Sequence, residues 1–254
     1  MAEKGVQTLD RALNVLELLA VQKNGMGVTE IGQQVGLHKS TVHRLLGALA
    51  SRGYVEKDAE TGMYKIGLKV VEIASLHLNS IELKTEASPY LHTLAAISTQ
   101  PVHLATLMDG EVVYIEKVDT VTSIRMYSHI GRRVPAHCSG VGRALYLDYS
   151  DAELMEIFKN YDFTAYTPNT ATNLGKFIQR MGQARRLGYV IDDEEHEPGI
   201  RCIAAPIRDY RGKIIASVST SGDKKIISPE RDDELAAQVL HCADQISRRM
   251  GYTM

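Results

Sequence analysis

The chain has 254 residues, of which 44% are hydrophobic and 24% charged, and its formal net charge is −2. This is the composition of a soluble globular protein of one or two domains. No apolar run approaches the roughly 20 residues that would cross a bilayer, which excludes a membrane partner of that kind. The N-terminal residues lack a charged-then-apolar signal layout, so the expected compartment is the cytoplasm. Cys138, Cys202 and Cys242 are odd in number and far apart. That spacing argues against a disulfide framework or a structural zinc site, and no cofactor or metal is expected.

Leu9, Ala12, Leu13, Leu16 and Leu19 recur at helical spacing, and this first helix is expected to end near Lys23-Asn24-Gly25. Thr29 is a candidate cap for a second, short helix carrying Ile31 and Val35, which Gly36 breaks. A third helix runs from Lys39 to about Ser51, with Gly53 closing it. Val42, Leu45, Leu46 and Leu49 form its core-facing stripe, so Lys39, Ser40, His43 and Arg44 fall on the other face. Tyr54–Glu56 and Met63–Ile66 read as two strands joined by a turn.

Overall charge does not announce a nucleic-acid partner. Between His38 and Lys69, however, six cations (Lys39, Arg44, Arg52, Lys57, Lys65, Lys69) stand against three anions (Glu56, Asp58, Glu60). An ordinary solvated face carries the same residue types. The two helices, the tight Gly36-Leu37 turn and the following hairpin match a winged helix-turn-helix. In that layout Arg44 can fork onto a guanine edge, and Lys39 and His43 can reach bases or phosphates. Thr29, Ser40 and Thr41 can contact phosphates near helix starts, and Lys57 and Lys65 flank the backbone from the wing. Double-stranded DNA is therefore the expected partner.

Leu68, Val71, Ala74 and Leu78 continue the helical pattern toward Leu83 as a helical linker, and Pro89 is placed in the first turn of a further helix. Beyond it, strands and helices alternate. The strand candidates are Val102–Met108, Val112–Val118, Ser123–Tyr127, Tyr189–Asp192, Cys202–Ile207 and Ile214–Ser221, with Asp109-Gly110 as a hairpin turn. The helix candidates are Val141–Leu147, Asp151–Lys159 (with Ser150 and Glu153 as a capping box), Leu174–Leu187 and Pro229–Met250. The expected organisation is a DNA-binding domain over residues 5–67, a linker over 68–85 and a second domain over 86–252.

Several segments resemble the IclR family of bacterial regulators: Leu9–Leu16, Val28–Ile31 and His38–Leu46 in the first domain, Ser139–Leu145, Gly188–Glu195 and Gly199–Ile207 in the second. Within it, Arg125–Arg133 and Met250-Gly251-Tyr252 resemble the subfamily that represses 2-keto-3-deoxygluconate and pectin-derivative catabolism. The resemblance implies a GAF-like effector domain with a central antiparallel sheet flanked by helices. It also implies a homodimer that pairs into a tetramer, and a small carboxylate effector such as a 2-keto sugar acid. Carried over by position, the effector would contact Ser139, Gly140, Asp192, Cys202, Ser219 and Ser221. The chemistry of these residues suits that role. Ser139 and Gly140 open a helix whose amides favour a carboxylate, and glycine permits close approach. Ser219 and Ser221 leave one strand on the same face. Asp192 can accept a bond from a hydroxyl. Two other readings stay open from sequence: a regulator whose second domain only dimerises, and an enzyme using Cys202 with His196.

Overall fold

The computed structural model describes residues 7–79, 82–120 and 128–253. The strand expected at 123–127 lies outside them, as do residues 1–6. The chain divides into two units, Met1–Ser80 and Ile81–Met254.

The first unit comprises α1 (Gln7–Ala20), α2 (Val28–Gln34), α3 (Lys39–Ala50), β1 (Val55–Lys57), β2 (Tyr64–Ile66) and α4 (Leu68–Asn79). Its core is built from Val15 and Leu19 of α1, Ile31 of α2, Val42, Leu45 and Leu46 of α3, and Val55 and Tyr64 of the hairpin. β1 and β2 pair antiparallel, and Met26 bridges to Tyr64, which ties the hairpin to the α1–α2 connection. Three expectations need correction. Leu9 and Leu13 are exposed, because the buried face of α1 is centred on Val15 and Leu19, and only the C-terminal part of the expected stripe faces the core. α1 ends at Ala20, ahead of the Asn-Gly pair. Thr29 does not cap α2: it is exposed and lies within the helix, where Gly27 occupies the cap position with no side-chain bond.

The second unit comprises α5 (Glu82–Ser98), β3 (Val102–Met108), β4 (Glu111–Val118), β5 (Arg133–Val134), α6 (Gly140–Leu145), α7 (Asp151–Ile157), α8 (Leu174–Leu187), β6 (Val190–Asp193), β7 (Ile200–Arg208), β8 (Ile214–Asp223) and α9 (Asp232–Arg249), the last preceded by a 3₁₀ turn at Pro229–Arg231. The six strands form one sheet in the order β5-β4-β3-β8-β7-β6, and every pairing is antiparallel. Asp109 and Gly110 close the β3–β4 hairpin with φ of 54° and 81°, the left-handed pair that a two-residue turn demands. α7 begins at the Ser150–Glu153 capping box. α8 runs from an Asn173 cap to a left-handed Gly188.

Side-chain alternation splits the sheet between two cores. One face packs Leu104, Ile203, Ala205 and Val218 against Leu91 of α5 and Val239 of α9. The other packs Tyr114, Val190, Cys202 and Ala204 against Val141 of α6 and Phe177 of α8. Pro89 lies inside α5 rather than in a first turn. Its ring is on the exposed side, while Ala87, Leu91, Leu94 and Ala95 keep one buried stripe continuous through it.

Leu46 is fully buried at the centre of the smaller core. Leu46→Ala is expected to cost about 2–5 kcal/mol. Urea unfolding followed by circular dichroism reads that loss directly.

Candidate nucleic-acid interface and small-molecule cavity

α3 presents Lys39, Ser40, His43 and Arg44 to solvent, while Thr41 is half-buried. No acidic residue occurs in this helix. Among the described residues none of its cations is in an ion pair, so the charge is available to a phosphate or a base edge. His38 caps the helix by its backbone position, and its ring nitrogen Nδ1 lies 3.0 Å from the Ser40 hydroxyl. On the hairpin, Lys57 is exposed with its ammonium 5.7 Å from the centre of the Tyr64 ring. Lys65 is exposed opposite Glu56 in the β-pairing. Thr29 is exposed on α2.

In the second unit a cavity opens between the sheet, α6 and the loop after β6. Its wall includes Ser139, Gly140, Asp192, Cys202 and Ser221. Asp192, Cys202 and Ser221 are direct partners across β6, β7 and β8, so they form one polar row on the α6 side of the sheet. Ser219 is not on the wall. It is buried one pair further along β8, beside His103 of β3. The atom-free space is about 420 Å³ where it opens to solvent, and about 30 Å³ of it accepts the centre of a water-sized sphere.

Packing requires a glycine at position 140. A Cβ there would lie 2.7 Å from the Cys202 sulfur and 3.4 Å from the Cβ of Ala204. The Ser139 hydroxyl is likewise engaged, accepting from the Gly142 amide at 3.2 Å and donating to the Pro135 carbonyl at 2.6 Å. α6 is a six-residue helix, so its start offers a modest positive end.

His196, considered from sequence only as a partner of Cys202, is also on the wall, and several further wall residues carry no sequence signal strong enough to single them out: Tyr114, Ser128, Arg132 and Glu197. Arg132 could have been noticed in the Gly131-Arg132-Arg133 run, but not placed. Its guanidinium lies 3.7 Å from the Glu197 carboxylate. Ser128 is held by two groups: His103 Nε2 is 2.8 Å from its hydroxyl, and Lys117 donates to its carbonyl at 3.0 Å. His103 is fully buried, and burial together with Lys117 pushes its pKa down to about 3, so the ring is neutral. His103 Nδ1 is buried without a hydrogen-bond partner among the described residues.

The loop that frames the cavity is fastened by Glu195. Its buried carboxylate receives Arg143 at 2.7 Å and Arg180 at 2.5 Å, and Arg143 also donates to the Ile191 carbonyl at 2.7 Å. The Glu195 amide donates to Asp192 at 2.8 Å, and its carbonyl accepts from Thr170 at 2.6 Å. Arg143 is thus a buried structural group. Burial pushes Asp192 up to about 7, Arg143 and the Glu195 and His196 amides pull it down, and Glu195 adds to the rise. All three cysteines are buried and free, and burial pushes Cys202 up to about 12. Both ring nitrogens of His137 are engaged, by Tyr161 and the Thr164 carbonyl. No metal-binding group of three acidic, His or Cys side chains occurs among the described residues.

Residues 8–59 match the IclR helix-turn-helix domain, and residues 75–248 match the C-terminal domain of the bacterial transcriptional regulator IclR. The chain belongs to the IclR family of bacterial transcriptional regulators. It is a DNA-binding regulator with an N-terminal helix-turn-helix and a C-terminal α+β domain. It is 35% identical over 250 residues to the HTH-type transcriptional regulator XynR of Escherichia coli K12, covering 97% of this chain and 98% of that protein. It is 33% identical over 247 residues to KdgR of the same strain, covering 97% and 94%. The crystal structure of the Thermotoga maritima IclR matches with a TM-score of 0.86 at 29% identity, covering 97% of this chain and 99% of that one. Among the described residues, no helix of this IclR-family chain is long and apolar enough to cross a membrane.

Because Asp192 titrates near 7 in the folded chain against about 3.9 when unfolded, its ionisation opposes folding. The penalty is absent below about pH 4, grows as pH rises, and is complete above 7. Asp192→Asn keeps an oxygen for the Glu195 amide and removes the charge. Its melting temperature is expected to exceed that of the wild type at pH 8 and to converge with it near pH 4.

Proposed function

We propose that this regulator is a repressor of a sugar-acid catabolic operon, released from its operator when a small 2-keto sugar acid such as 2-keto-3-deoxygluconate fills the cavity. The observation that carries this reading is the cavity's polar row, Asp192, Cys202 and Ser221, beside Ser139 and Gly140, with Ser219 next to it. A domain that only dimerised would have no use for a polar row open to a solvent-connected recess, whereas a hydroxylated ligand would pair with it. The resemblance to repressors of sugar-acid catabolism supplies the ligand class.

On the DNA side, Arg44 reads a base edge, Lys39 and His43 assist, Thr29, Ser40 and Thr41 hold phosphates, and Lys57 and Lys65 flank the duplex from the hairpin. The protein acts as a homodimer, and as a dimer of dimers, in the cytoplasm. Support comes from α4, where Leu68 is 75% and Leu76 65% exposed, with Val71 and Ile73 also open. Leu68, Val71 and Ala74 of the expected stripe are exposed, and the side chain of Leu78 lies outside the described ones. A ligand shifts such a repressor only through its differential affinity for two states; near-complete release takes about a 10⁴-fold preference.

The chemistry of Cys202 and His196 speaks against the reading as a cysteine-dependent enzyme. Burial pushes Cys202 up to about 12, and burial with Arg132 and His137 pushes His196 down to about 4. At neutral pH the pair is a thiol and a neutral imidazole, whereas a nucleophilic pair needs the thiolate.

Two measurements test these readings. Arg44→Ala is expected to weaken operator binding by about 1–3 kcal/mol in a gel-shift titration, with an unchanged circular dichroism spectrum. Unchanged affinity would remove Arg44 from base reading. Calorimetric titration with 2-keto-3-deoxygluconate is expected to give binding that Asp192→Ala weakens by about tenfold or more. Equal affinities would take Asp192 out of the site.

A further inference from the structure

This inference rests on the acid-binding reading above and goes further, to the group that takes the acid's charge. A carboxylate entering the cavity meets a wall that already holds two acids, Asp192 and Glu197, and a neutral His196. The positive end of α6 is a poor counter-charge. The helix is one and a half turns long, and the Ser139 hydroxyl already takes its Gly142 amide. Among the described residues Arg132 is the one Arg or Lys on the wall.

Its backbone is fixed to the sheet. The Arg132 carbonyl accepts from the Tyr114 amide at 3.1 Å, and the adjoining Gly131 amide donates to the Tyr114 carbonyl at 2.8 Å. The side chain is held far less firmly. Its contact with Glu197 is 3.7 Å, beyond hydrogen-bond range, and both side chains are nearly a third exposed. A pair of that kind contributes little to stability. Glu197 lies on the loop between β6 and β7, across from Arg132. The two groups also bound the recess, so an acid that reaches the guanidinium meets the Glu197 carboxylate.

We propose that Arg132 is the carboxylate-binding residue of the cavity and that Glu197 is its built-in competitor, displaced from the guanidinium when a small carboxylic acid binds. Exchanging a loose, 3.7 Å carboxylate for a bidentate one gives the ligand two charge-assisted hydrogen bonds in place of a weak pair. The released Glu197 then swings toward solvent, and the loop carrying it is the part of the wall that responds to occupancy. Asp192 is left to face the hydroxyl or keto end of the ligand. Arg143, Glu195, Cys202 and Tyr114 surround it, and its carboxyl, raised toward neutrality, can donate as well as accept.

The test is calorimetry on the full-length protein with pyruvate and 2-keto-3-deoxygluconate as probes, comparing wild type, Arg132→Gln and Glu197→Gln. Arg132→Gln is expected to weaken acid binding at least tenfold. Glu197→Gln is expected to tighten it several-fold and to steepen its loss with added salt. Both residues are partly exposed, so the folds should survive, and melting curves check this. An acid that binds wild type and Arg132→Gln equally would overturn the inference while leaving acid binding intact. Weaker binding by Glu197→Gln would overturn the competitor role. No heat from any of the three proteins with either acid would overturn both this inference and the reading on which it rests.

Discussion

Glu195 carries its carboxyl group into the interior of the second unit, and the loop that frames the cavity is organised around it. Two guanidiniums meet it, one from α6 and one from α8, while its own peptide group ties Asp192 on β6 to Thr170 in the preceding loop. A buried pair of this type adds little net stability over a well-packed apolar substitute, but removing one partner leaves an unpaired buried charge and costs several kcal/mol. The arrangement is therefore better understood as specifying a geometry. It fixes the short α6 against the sheet, sets the turn after β6 and leaves a polar recess that an apolar core would have closed.

Charge is used differently in the two units. On α3 the cations are exposed and unpaired, which suits a polyanion that brings its own counterions to release. In the second unit nearly every cation near the cavity already has an acidic neighbour, Arg143 and Arg180 with Glu195, Arg201 with Asp193 and Asp232. Arg132 is the loosely held member of this set. A net charge close to zero hides both designs, because one sums to a local surplus and the other to internal balance.

Much of this was legible in the sequence where local chemistry decides the outcome. α8 is bounded by an Asn cap and a left-handed glycine, β3 by the Asp-Gly hairpin, and α7 by a capping box; each was placed within a residue or two. The core stripe of α3 followed from helical spacing alone. What escaped depends on tertiary context. β5 is two residues long and exists only as a partner of β4. Pro89 reads as a helix start, yet the buried stripe around it holds the helix together. In the cavity, the row of Asp192, Cys202 and Ser221 was reachable from the resemblance. Arg132, Ser128 and Glu197 arrive from turns and loops, where no periodicity points. Gly140 carries a packing constraint that the sequence does not reveal, since a Cβ there would meet the Cys202 sulfur.

The alternation along β6, β7 and β8 has a consequence for how such a protein can change over time. Asp192, Cys202, Ser219 and Ser221 point toward α6, while their neighbours Ile191, Ile203, Val218 and Thr220 point toward α5 and α9. The sheet is an insulating partition between a chemical compartment and a mechanical one. Substitutions in the row facing α6 can change the chemistry of the recess without disturbing the packing behind it. The exception is the contact between Gly140 and Cys202, which crosses from helix to strand: a bulkier residue at either position requires the other to yield, so these two sites are bound to drift together or not at all.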